Sequence, residues 1–121
     1  LKNQKETIVM SITCFIEYKI NSFKLDKFQE YAENWGKIIP SCGGELIGYF
    51  LPHEGSNDIA YGLITFNSLA DYEKYRAILK EDKNGKANFH FAEQEKLIIS
   101  EKRSFLKVVP ETYHRLAKAS L

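Results

Sequence analysis

The sequence predicts an α+β sandwich, one antiparallel four-stranded sheet with its helices gathered on a single side. Three observations carry that reading. Hydrophobic periods of two and of three to four residues alternate along the chain in the order β-α-β-β-α-(α)-β. A cluster of Gly, Ser, Asn and Asp joins the two central strands closely enough for a hairpin. The chain has 121 residues, about one domain's worth, so these elements share one core.

Leu1 to Val9 are polar and precede the only methionine, Met10, so residues 1–9 are read as a disordered extension and the folded unit as residues 10–109. From Ser11 to Ile20 one phase holds Ile12, Cys14, Ile16, Tyr18 and Ile20, and the other holds Thr13, Phe15, Glu17 and Lys19, the alternation of a strand. Asn21-Ser22 offers a helix cap. Leu25, Phe28, Ala32, Trp35 and Ile39 then recur on one helical face, with Lys24, Lys27, Glu30 and Glu33 on the wet side. Pro40 and Gly43-Gly44 end that helix. Gly44 to Pro52 and Ile59 to Phe66 are apolar, aromatic runs flanking the turn formers between His53 and Asp58, a β-hairpin. Ser68 to Asp71 caps a second helix to about Lys80, striped by Leu69, Tyr72, Arg76 and Leu79 with Tyr75 and Ile78 beside them. Glu81 to Lys86 reads as a charged loop containing Gly85, and Ala87 to Lys96 as a short helix. Leu97 to Val109 contains the last strand, which Pro110 stops, and residues 110–121 form a tail with a weak helix expected on Tyr113, Leu116 and Ala117. This order is the split β-α-β arrangement of a ferredoxin-like sandwich.

A sheet with helices on one side and water on the other alternates apolar with polar along every strand. Two strands here do not. In the hairpin Leu46, Gly48 and Phe50 alternate with Ile47, Tyr49 and Leu51, and on the return Ala60, Gly62, Ile64 and Phe66 alternate with Ile59, Tyr61, Leu63 and Thr65. Two helices cover one face only, and each large side chain left in water forgoes roughly 1.5–3 kcal/mol of burial. A second copy on the open face is the expected solution, so the partner predicted is a homodimer; shielding by the tail and the extra helix is the alternative.

The run GELIGYFLPHEGSNDIAYGLI from Gly44 to Ile64, continuing as Phe66 to Tyr72 and Arg76, resembles the NIPSNAP family, as do Glu17 to Ile20 and Phe105-Leu106. The resemblance spans Ser11 to Val109. Ser22 stands where the family often has proline after the first strand, which disturbs no fold element. The resemblance implies a dimeric α/β barrel in which two ferredoxin-like sheets face each other, and it brings no settled catalytic residues. Similar architectures include oxygenases that use no cofactor and let the substrate's own carbanion react with oxygen, whereas eukaryotic members of the family are discussed in scaffold-like roles.

Composition sets the remaining limits. Hydrophobic residues make up 44% and charged residues 27%, an ordinary globular balance with no run near the ~20 apolar residues of a membrane span. Seventeen Lys and Arg against sixteen Asp and Glu leave a formal charge of +1, so nucleic acid is not an expected partner. Cys14 and Cys42 lack metal-ligand spacing and are too few for a disulfide framework, which suits the cytoplasm; Cys14 is read as an inert buried thiol and Cys42 as an accessible one. No cofactor is expected and no catalytic residue is assigned. His53, Glu54 and Asp58, with Asn57, crowd one loop and are candidates for a polar site, although their spacing suits a solvated turn better than a cation. His90 and Glu93 share a face of the third helix, as two metal ligands or a surface pair. His114 lies in the tail. Tyr18, Trp35, Tyr49, Tyr61 and Arg76 are the candidate pocket: aromatics converge on the sheet beside small Gly48, Ala60 and Gly62, with hydroxyls, an indole N–H and a guanidinium as polar anchors. The function expected is binding of a small apolar or aromatic molecule between sheet and helices, with cofactor-independent monooxygenase-like chemistry as its extension. The alternative is a non-catalytic protein-interaction or scaffold module.

Overall fold

Nine residues of alternating phase build β1 (Ile12–Ile20), the strand on which the sheet is centred. The structure is a computed structural model and describes residues 11–113. After a 3-10 turn at Ser22–Lys24 come α1 (Leu25–Ser41), β2 (Glu45–Phe50), β3 (Ile59–Phe66), α2 (Leu69–Glu81), α3 (Lys83–Glu95) and β4 (Ile98–Lys107). Every pairing is antiparallel and the order across the sheet is β2-β3-β1-β4. This is the expected ferredoxin-like sandwich with one added helix. The residues read as an extension, and all of the tail beyond Tyr113, lie outside the described residues.

The core forms where one phase of β1 and β3 meets the helices. Cys14, Ile16, Tyr18 and Ile20, with Ala60, Ile64 and Phe66, are buried against Phe28, Tyr31, Trp35, Ile38 and Ile39 of α1 and Tyr75 and Leu79 of α2. Asn88 of α3 is buried too: its amide donates to the Tyr31 carbonyl at 3.0 Å and its oxygen accepts from Asn34 at 2.9 Å, which fixes α3 against α1. All three helices therefore lie on the same side. The stripe expected on α2 is rotated, because Tyr75 and Leu79 turn inward while Leu69, Arg76 and Ile78 are exposed.

Local chemistry explains three departures from the sequence reading. Pro40 does not stop α1, because it sits in the last turn; the helix ends at Gly43, whose φ of 103° lets the Gly43 and Gly44 N–H groups close onto the carbonyls of Pro40 and Ile39. The span from Glu81 to Lys86 is not a loop. Asp82 caps α3 by accepting from the Gly85 N–H at 2.8 Å, and Gly85 is buried beneath Leu79, so a glycine that resembled a breaker is a close helix-helix contact. In β2 the register shifts between Leu46 and Gly48, which places Leu46 opposite Ile64 and Tyr49 opposite Gly62. Both therefore face the helices, and Gly48 and Phe50 fall on the open side.

α3 closes with the same turn as α1, but with Lys96 at φ 53° and ψ 48°. A left-handed residue with a Cβ costs about 1–2 kcal/mol, and glycine returns roughly half of that through its freer unfolded chain. Lys96→Gly is therefore expected to stabilise the protein by about 0.5–1 kcal/mol, read as a higher denaturant midpoint. An unchanged midpoint would mean that the turn carries no strain.

The open face is apolar. Phe15 stacks on Tyr61 with ring centroids 5.5 Å apart, Ile59 and Leu63 are only half-covered, and Phe50 is 52% exposed. At one end of this face the Thr13 and Thr65 hydroxyls are 2.8 Å apart, and the Tyr113 hydroxyl donates to Thr65 at 3.0 Å.

Candidate functional site

Aromatic residues from β1, β2 and α1 enclose a gap between the sheet and the helices. Tyr18 reaches inward because of its phase in β1, and Tyr49 because of the bulge in β2; their hydroxyls are 2.9 Å apart. Gly62 makes room for this pair, since a Cβ there would lie 2.9 Å from the Tyr49 ring. From α1, Tyr31 meets Trp35 edge-on at 5.6 Å, and α3 sets Phe89 edge-on against the indole at 4.9 Å. Tyr75, Arg76 and Leu79 of α2 complete one wall and Arg103 of β4 the other. The cavity itself is about 20 Å³, room for about one water molecule.

The electrostatics of the gap follow from its burial. Desolvation of the phenolate form pushes Tyr31 up to about 12 and raises Tyr18, Tyr49 and Tyr75 well above an ordinary phenol, so all four stay protonated and available as hydrogen-bond donors. Trp35 is buried and its indole N–H has no hydrogen-bond partner, although it lies close enough to Tyr31 to oppose, after desolvation, the upward shift of that phenol. Burial works against the charge of Arg103, but Glu101 more than offsets it: Arg103 Nε donates to the Glu101 carboxylate at 3.0 Å. A second Arg103 N–H points at the Cys14 sulfur from 3.9 Å, and burial raises that thiol.

Of the pocket residues expected from sequence, Tyr18, Trp35, Tyr49 and Arg76 line this gap, Arg76 at its exposed rim. Tyr61 does not. Its parity in β3 is opposite to that of Ala60 and Gly62, so it stacks on Phe15 across the sheet. The sequence reading omitted Tyr31, Tyr75 and Arg103 from the site. Tyr31 was legible at helical spacing between Phe28 and Trp35, and Arg103 only through the register that sets it opposite Ile16.

The polar loop is separate from the gap. His53 and Glu54 are exposed, while Asp58 takes a hydrogen bond from Ser56 at 3.1 Å and an ion pair from Lys19 at 2.6 Å, which holds its carboxyl below the usual range. His90 and Glu93 are exposed on α3. Among the described residues no three His, Cys, Asp or Glu side chains are placed to share a metal ion, and no helix is long and apolar enough to cross a membrane. Cys42, read as accessible, is buried at the end of α1.

The NIPSNAP family model matches residues 13–111, from the second residue of β1 to beyond β4. The chain belongs to the NIPSNAP family. Its fold is similar to solved NIPSNAP family structures. One, from Agrobacterium tumefaciens and of unknown function, is 23% identical with a TM-score of 0.71, covering 82% of this chain and 88% of that one. Another from the same organism is 27% identical with a TM-score of 0.64, covering 80% and 84%. The fold extends to a Caulobacter crescentus protein provisionally assigned to the antibiotic biosynthesis monooxygenases, 11% identical with a TM-score of 0.62 and covering 88% and 99%. No curated protein matches the chain.

Proposed function

We propose that this NIPSNAP chain works as a cytoplasmic homodimer, paired sheet to sheet as a dimeric α/β barrel, and that each copy binds a small apolar or aromatic molecule between its sheet and its helices. The observation that carries the binding reading is the indole N–H of Trp35, buried without an acceptor in a gap whose other polar atoms belong to tyrosines and arginines. A buried donor left unpaired costs about 1–3 kcal/mol, and a ligand oxygen would remove that penalty. The gap has the volume of one water, so the ligand enters as the exposed Phe89 and Arg76 at the rim swing aside. Support for the pairing is the apolar open face, where Phe15, Tyr61, Leu63 and Phe50 lie together.

Monooxygenase-like chemistry without a cofactor suits this gap for one kind of substrate only, a molecule acidic enough to ionise by itself. The raised tyrosines are poor bases and good donors, so they steady an anion rather than abstract a proton. The tight closure of the same gap favours a second reading, a non-catalytic interaction module in which these aromatics are simply core.

Native mass spectrometry of gently purified protein separates the readings. The expected spectrum is that of two chains carrying a small-molecule adduct, with Trp35→Phe losing the adduct while keeping the dimer. A dimer with no adduct, and no binding from a panel of small aromatic alcohols and acids, would favour the interaction module; a single-chain mass would remove the barrel.

A further inference from the structure

The walls of the gap hold donors and no acid. Trp35 offers an unpartnered N–H, and Arg103 gives one N–H to Glu101 and another only to the weakly accepting sulfur of Cys14. No Asp or Glu lines the cavity. Immediately outside it, between α2 and α3, lies a groove of about 500 Å³, a volume within the range of small-molecule sites. Arg76, Leu79 and Phe89 line both spaces and so form the partition between them. Beyond the partition the groove presents Lys80 and Lys86, again without a lining carboxylate. Arg76 and Lys80 make no ion pair among the described residues, and Lys86 has only a long contact of 3.8 Å with Glu81, both ends of it exposed. The cleft beside the start of β2 differs, since Glu45 and Asp71 there accompany Lys74.

We infer that the ligand of this site is an organic anion, a ring bearing a carboxylate or a comparably charged oxygen group, entering through the α2–α3 groove with Arg76 as its charge-reading residue. The inference rests on the binding reading above and adds the ligand's chemical class. Three like charges along one groove repel each other and attract an acceptor-rich group, while Phe89 and Leu79 offer the apolar surface that a ring requires. Inside the gap, the Trp35 N–H and the free N–H groups of Arg103 complement oxygen acceptors in the same way.

The test compares 2-naphthoate with 2-naphthylmethanol, the same ring with and without charge, by titration calorimetry on the full chain. Naphthoate is expected to bind at least about tenfold more tightly, with Arg76→Gln costing the acid far more affinity than the alcohol and so reducing that preference to near unity. Arg76 is exposed, so this variant keeps its fold. Equal affinity for acid and alcohol would overturn the anionic class while leaving the binding site in place. A preference that survives Arg76→Gln would overturn the role given to Arg76. Binding of neither probe would overturn both the inference and the reading beneath it.

Discussion

Raising the pH from 10 towards 12 is expected to unfold this protein in one cooperative step. The cause is the set of buried phenols, Tyr18, Tyr31, Tyr49 and Tyr75, each held above its ordinary pKa by desolvation of the phenolate. The sign follows from linkage. A group whose pKa is raised by folding contributes its full stability while both states are protonated, below pH 10, and loses it as the unfolded chain begins to ionise and the folded one does not. Tyr31 alone, carried from an ordinary value near 10 to about 12, couples about 3 kcal/mol to folding. Four such groups together are comparable with the roughly 5–15 kcal/mol that holds a domain of this size together. Phenolate absorbance and far-ultraviolet dichroism, followed together, give the test: the buried phenols ionise only as helix is lost. Ionisation of all seven tyrosines with the dichroism intact would show that the gap is open to water.

Tyr61→Asp is expected to turn the proposed homodimer into monomers. Tyr61 stacks on Phe15 in the middle of the open face, flanked by Leu63 and by Phe50 on the neighbouring strand. In a symmetric pairing each substitution is met twice. Two carboxylates would then be drawn out of water without partners, at several kcal/mol each, enough to weaken association more than a thousandfold. The isolated chain tolerates the change better, because Tyr61 is half-exposed and loses about 1 kcal/mol of ring stacking. Sedimentation at micromolar concentration distinguishes the cases. Wild-type protein at single-chain mass, or a Tyr61→Asp variant still at double mass, would rule out pairing through this face.

The order of elements could be read from the residues because the periods of β1 and α1 are clean: Cys14, Ile16, Tyr18 and Ile20 on one side, and Phe28, Trp35 and Ile39 on one stripe, are all buried as expected. Local pattern was insufficient wherever a distant contact decided the outcome. The bulge in β2 changes the parity of Tyr49 relative to Leu46, and only the pairing with β3 reveals it. Gly85 looks like a helix breaker until Leu79 is seen resting on it. Within the site, Tyr18, Trp35, Tyr49 and Arg76 do come together, whereas Tyr61 is sent to the other face by one step of strand parity. Arg103 is not legible because a charge in a strand reads as a solvent-facing residue; its register opposite Ile16 turns the guanidinium inward, where its Nε donates to Glu101.

The irregular pairing at Ile47 also bears on how copies of this molecule can meet. β2 and β4 are the two margins of the sheet, where unpaired backbone groups invite a foreign strand to add on. The kink in β2 interrupts the straight rail that such an addition needs, and β4 carries Glu101, Lys102, Arg103 and Lys107 along its length. Ribbon-like growth from side to side is thereby discouraged at both edges of the sheet, which leaves the apolar open face as the surface that a twofold partner would cover.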